Sequence, residues 1–303
     1  MDRATKQNSH SHLHGSLSRS KYLGVTLLNG LITAVEIAGG IMSGSLALLS
    51  DAAHNLGDTV SIVISYSAWK IAGREKDVRR TYGYKRAEII AAFVNASALM
   101  AISLYLIFEA IRRFRHPEAI HSGLMIGVAV VGFLANFISM RLLKKEAHGN
   151  MNVRSSYLHL LGDTVSSVAV IGGGLAIRFW GAFWIDPLVT ILISVYIMGA
   201  SWKIVKNSVD ILMQSAADLD YRAMQVEIEA IPEVRNIHHV HTWMANEETV
   251  FFEAHIDIED RLLSEACLIS DRIENILKTR YGIAHVTLQF ETDRCAEKSF
   301  FKK

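Results

Sequence analysis

Apolar and polar positions divide this chain in two. Before about residue 205, apolar residues run in long blocks parted by short polar links; beyond it the blocks shorten and begin to alternate. A helix needs about 20 mostly apolar residues to cross a bilayer. Six segments reach that length, at 22–42, 46–72, 87–108, 122–143, 156–179 and 184–204. They predict six transmembrane helices. Residues 43–45 and 180–183 read as tight turns, and 73–86 as a longer basic loop. Past the last block the period changes. Residues 219–231 predict an amphipathic helix ending near Pro232, and 236–243 and 249–258 predict strands. The second strand places Val250, Phe252, Ala254, Ile256 and Ile258 on one face. Residues 263–281 predict a helix before Gly282, and 284–291 a last strand. The order αββαβ makes a small α+β domain of about 80 residues, a marginal size for independent stability. It would gain from dimerisation or a bound metal. The expected organisation is an arm at 1–20, a membrane domain at 21–206, the α+β domain at 207–292 and a tail at 293–303.

Composition agrees with this division. Half of the 303 residues are hydrophobic, and the mean hydropathy is +0.24. A net charge of +1 argues against a nucleic-acid surface. Lys and Arg concentrate on cytoplasmic loops of membrane proteins. Ten of them lie in the 73–86 and 141–155 loops, against Arg112, Arg113, Arg115 and Arg178 on the other side. Both termini are therefore expected in the cytoplasm. The first twenty residues lack the apolar core of a cleavable signal peptide. The two cysteines, Cys267 and Cys295, fit neither a disulfide framework nor a CxxC zinc site.

Inside the apolar blocks an octapeptide occurs twice. Residues 54–61 read His-Asn-Leu-Gly-Asp-Thr-Val-Ser and residues 159–166 read His-Leu-Leu-Gly-Asp-Thr-Val-Ser. Each copy sets a His and an Asp four residues apart, on one face of a helix. Two such helices would bring His54, Asp58, His159 and Asp163 around one point, a tetrahedral N2O2 set suited to zinc. A charged side chain at a helix centre costs on the order of 2.5–3.5 kcal/mol on the insertion scale. A divalent cation would compensate two matched pairs. The plainer reading is polar glue between helices, which explains neither the repeat nor the carboxylates. Gly57 and Gly162 are expected to let the helices approach. Asp51, one turn before His54, reads as a partner of the site, as a carboxylate on the entry path, or as part of a structural ion pair. Glu36, Asn95 and Asn136 read as interhelical hydrogen-bonders.

The α+β domain carries its own histidines. With a two-residue turn at Asn246-Glu247, His238 faces His255 across a hairpin, and the same polar side of the last strand carries Gln289 and Glu291. His238, His255 and Glu291 make a second candidate metal site. A one-residue slip would substitute His239. Ordinary surface histidines are the competing reading. His10, His12 and His14 could form a weak metal-collecting arm.

These features together resemble the cation diffusion facilitator family, in its bacterial zinc-exporting branch. The resemblance runs from about residue 20 to 292. It rests on Ser45-Leu-Ala-Leu-Leu-Ser-Asp51, the two His-x3-Asp pairs, Gly83-Tyr84-Lys85-Arg86-Ala87-Glu88, Asp186-Pro187 and His238-His-Val-His-Thr-Trp243. It implies six transmembrane helices, a cytoplasmic metallochaperone-like α+β domain, a homodimer in the inner membrane, and exchange of a divalent metal for protons. It also implies transport ligands at His54, Asp58, His159 and Asp163, tail ligands at His238, His255 and Glu291, and Cys267 near a further tail metal. The sequence departs from some relatives in having no His or Cys between Arg74 and Arg86, only His148 in 144–155, and Gln289 in place of a tail His. The expected activity is zinc export in exchange for protons by alternating access. Export of cadmium, manganese or iron, and a membrane-anchored metal sensor, are the alternatives. No His is followed by Glu, so the HExxH of a membrane zinc protease is absent.

Overall fold

The computed structural model describes residues 19–143, 151–295 and 298–301. His10, His12, His14 and His148 lie outside the described residues. Six helices come first: α1 (Arg19–Ser43), α2 (Leu46–Ala72), α3 (Arg86–Arg115), α4 (Ser122–Leu143), α5 (Met151–Trp180) and α6 (Ile185–Leu212). They coincide with the six apolar blocks. Among the described residues, four stretches are long and apolar enough to cross a membrane: α3, 122–141, 159–180 and α6. α1 and α2 have comparable length, 25 and 27 residues. α3 and α6 run several residues past the blocks that announced them, to Arg115 and Leu212. Apolar content marks where a helix crosses lipid; it does not mark where the backbone hydrogen bonds stop.

The chain forms two compact units. The first comprises the described residues up to Val63 together with Ser97–Ser201. In it α4 packs along α5 and α1 along α4. Its core joins Ala47 and Leu48 of α2 to Met125 and Ala129 of α4, Val170 of α5 and Ile193 of α6. Polar groups are buried beside that core: Glu36, Ser50, Asp51, Asn55, Asp163, Ser167 and Thr190. Large apolar side chains face outward, among them Tyr105, Phe108, Val165, Leu192 and Tyr196. An apolar exterior around a polar interior suits a lipid surround, where polar groups must find partners inside.

The second unit comprises 64–96 and the residues from Trp202 on. Here α7 (Tyr221–Glu229), β1 (Val234–Met244), β2 (Val250–Ile258), α8 (Leu263–Arg280) and β3 (Ile283–Glu291) give the expected αββαβ order. Asp220 caps α7 by accepting from Ala223 N. The sheet order is β1-β2-β3, with β1–β2 antiparallel and β2–β3 parallel. The α8 crossover makes the parallel pair possible. Met224, Ile228, Ile237, Phe252, Ile256, Ile273 and Leu277 form one buried core between sheet and helices. The α2–α3 loop joins this unit: Lys85 Nζ donates to Thr249 Oγ1 at 2.8 Å, Asn246 Nδ2 to Glu88 Oε2 at 3.1 Å, and Tyr82 stands edge-on to Phe251.

The hairpin differs from the expected two-residue turn. Asn246 Oδ1 accepts from Glu248 N and Thr249 N, and Ala245 N bonds Thr249 O, so the loop holds one residue more. Near the turn Thr242 pairs with Phe252, one step off the expected register. A bulge between His238 and His241 takes up the extra residue, and beyond it His238 faces His255 as expected.

Candidate metal centre

In the first unit the two octapeptides lie on α2 and α5. Ligand atoms of His54, Asp58, His159 and Asp163 all lie within 4.8 Å of one another. The contacts between helices are the tighter ones. His54 Nε2 is 3.2 Å from Asp163 Oδ1, and His159 Nε2 is 3.0 Å from Asp58 Oδ2. Within each helix the His–Asp separations are 3.9 and 3.6 Å. The four-residue spacing thus aligns each pair, and the pairing of helices closes the set. Exposure rises across the group: the Asp163 side chain is 5% exposed and that of His159 44%. Among the described residues, buried His54 Nδ1 has no hydrogen-bond partner. Two imidazoles and two carboxylates in this space can satisfy a divalent ion.

Neighbouring residues hold this arrangement. Asp51 accepts from Ser166 Oγ and, at 3.2 Å, from Ser167 Oγ, tying α2 to α5 just inside the quartet. It is a hydrogen-bonded brace rather than half of an ion pair. Glu36 Oε2 accepts from Asn55 Nδ2 at 2.7 Å, the expected interhelical bond. Among the described residues, buried Asn136 Nδ2 has no hydrogen-bond partner. Gly57 serves a close approach to α3 rather than to α5, because a Cβ there would meet Leu99 Cδ2 at 2.5 Å. Gly162 faces Tyr196 Oη, 3.5 Å from where its Cβ would lie.

In the sequence Asp186 stands out only as part of the Asp186-Pro187 motif. At the start of α6 it accepts from Ser45 Oγ at 2.5 Å, Leu46 N at 2.9 Å and Ala47 N at 3.2 Å. It therefore caps α2 from another helix, satisfying amides that have no intrahelical acceptor. Arg113 donates to Gly44 O beside it. An intervening 140 residues hide this contact from sequence reasoning.

The second unit assembles the tail residues. His238 is fully buried, and its Nε2 is 2.8 Å from Glu291 Oε1. His255 Nδ1 is 3.3 Å from Glu291 Oε2. The three expected residues therefore meet. Burial pushes the Glu291 carboxyl up, but the bond from Cys295 and the nearby His238 and His255 outweigh it and hold it below the usual carboxylate range. His239 and Cys295 join them: ligand atoms of His238, His239, His255 and Cys295 lie within 4.8 Å of one another. Adjacent strand residues normally point to opposite faces. His239 has φ +49°, and its place in the bulge turns its ring to the side of His238 and His255. The slip that would exchange the two histidines is replaced by a bulge that includes both. Cys267 is exposed on α8 and does not belong to this group.

The described geometry sits within a known family architecture. Residues 23–213 match the family model described as the cation efflux transmembrane domain, and 216–293 that of the cation efflux protein, cytoplasmic domain. The chain belongs to the cation efflux family. It is 39% identical over 295 residues to the zinc transporter ZitB of Escherichia coli, covering 95% of this chain and 93% of that protein. It is 36% identical over 290 residues to the metal cation efflux system protein CzcD of Cupriavidus metallidurans, covering 95% and 91%. It is 33% identical over 288 residues to a Bacillus subtilis protein named cadmium, cobalt and zinc/H(+)-K(+) antiporter, covering 94% and 92%.

Proposed function

We propose that this chain exports zinc across the inner membrane in exchange for protons, with His54, Asp58, His159 and Asp163 as the transport ligands. The observation that carries this reading is their convergence from two matched helices beside a set of buried polar groups. Two ionised carboxylates balance the charge of one divalent ion, so the loaded site is neutral where charge is costly. Both imidazoles must be neutral to coordinate, and an ordinary His titrates near about 6.5. Protons and metal therefore compete for the same atoms. Once the ion leaves, protons are the simplest cations to restore balance. Alternating access then carries zinc outward and protons back.

In this reading both termini are cytoplasmic, and the chain works as a homodimer joined through its α+β domain. His238, His255 and Glu291 hold a regulatory zinc there. Cadmium is the second substrate in order of expectation, because one relative bears that metal in its name and a site with two imidazoles accepts it more readily than manganese or iron. The test is metal flux in proteoliposomes with pH and potential set separately. Zinc and cadmium should move and manganese should not. Zinc binding without flux would replace the transporter with a sensor.

A further inference from the structure

We infer that the described residues following β3, 292–295 and 298–301, form a strap that brings Cys295 to the His238–His255–Glu291 cluster, making it a thiolate-containing site for a soft divalent metal. This rests on the reading of that cluster as a metal site. The family's domain match ends at residue 293, so Cys295 and the rest of the strap after it lie beyond the shared domain.

The geometry suits four-coordinate metal. A tetrahedral ion with bonds of about 2.0–2.3 Å separates its donors by about 3.3–3.8 Å. Cys295 Sγ lies 3.5 Å from Glu291 Oε2 and 3.9 Å from His255 Nδ1, and those two are 3.3 Å apart. His238 supplies an independent sign of a ligand. It is 0% exposed, and among the described residues neither ring nitrogen has a hydrogen-bond partner, although Nε2 lies close to Glu291 Oε1, which has none either. Buried polar atoms without hydrogen bonds are costly, and an ion between them removes that cost. His239 stands ready as an alternative nitrogen donor.

Contacts on both sides of Cys295 dock the strap. Before it, Asp293 N donates to Asp257 Oδ1 at 3.0 Å. After it, Lys298 Nζ reaches Asp257 Oδ2 at 2.6 Å, and Phe300 packs against the domain core. The bulge in β1 also serves the strap. Val240 N donates to Phe300 O at 2.8 Å and His239 N to Ser299 O at 3.3 Å. The irregularity that gathers the histidines thus offers the amides that hold the strap. On metal binding the Cys295 thiol releases its proton to water and the thiolate donates a pair to the ion, with no change of oxidation state. A thiolate favours cadmium over the harder divalent ions.

The chain has only two cysteines, which makes the test direct. Full-length protein in detergent is titrated with Cd2+. Wild type and Cys267→Ser should show an ultraviolet thiolate-to-cadmium charge-transfer band, and Cys295→Ser should lack it. Cadmium should slow alkylation of Cys295 by at least about tenfold, because the bound thiolate is no longer free to attack, and should leave Cys267 unprotected. Bound cadmium is counted in an Asp58→Ala, Asp163→Ala background with and without His238→Ala plus His255→Ala. If the histidine changes release cadmium but Cys295 is unprotected and the band is missing, the strap inference fails and the His–Glu site stands. If the histidine changes release none and Cys295 is unprotected, both fail.

Discussion

Asp163 is the most buried member of the intramembrane quartet, and His159 the most exposed. Removing either Asp carboxylate leaves two imidazoles and one carboxylate, with charge balance lost. Asp58→Ala and Asp163→Ala should each abolish zinc flux while the protein still inserts and dimerises. Vesicle flux with quantified protein insertion checks this. The convergence of the quartet was legible because a four-residue spacing on a helix fixes a shared face, and the repeat pointed to two such helices. The sequence offers His239 only as a substitute for His238; its place beside His238, and that of Cys295, were not legible. One depends on a bulge that reverses the usual alternation, the other on a return of the chain past β3. Sequence spacing encodes neither.

At the scale of elements, the capping of α2 by Asp186 links the ends of two helices to the quartet two turns further along. A lost cap typically costs about 0.5–2 kcal/mol. Asp186→Ala should lower the melting temperature of the detergent-solubilised protein and reduce zinc flux, and Asp186→Asn should recover part of both. The α2–α3 loop offers a pH-dependent counterpart. Asp77 accepts from Tyr84 Oη at 2.5 Å and from Arg79 N and Arg80 N at 2.7 and 2.8 Å. The Tyr84 bond, followed by those amides, holds its carboxyl below the usual range. A carboxyl depressed in the folded state adds its full stabilisation above the unfolded value of about 3.9 and loses it as pH falls through the folded value. Exchange protection of the Arg79 and Arg80 amides should therefore be constant from neutral pH to about 5 and weaken only below about 4. In Asp77→Asn that acid step should disappear. The six helices and the αββαβ order were readable because each follows its own period of apolar residues. The turn and bulge were not, because their two one-residue shifts cancel at His238 and leave the expected pairing intact.

For the whole molecule the account rests on one exchange. Moving two positive charges outward against an inside-negative potential costs about 4.6 kcal/mol per 100 mV, and each returning proton gives back about 2.3. An imposed proton gradient should consequently drive zinc even with no zinc gradient present. The most direct measurement uses proteoliposomes of a variant carrying His238→Ala, His255→Ala and Cys295→Ser, so that the intramembrane quartet is the metal site under test. Zinc flux is followed with equal zinc on both sides and a pH difference imposed across the membrane. Net zinc movement toward the acidic side is expected, and Asp163→Ala should abolish it. Zinc flux that ignores the pH difference, or persists without Asp163, would contradict the exchange.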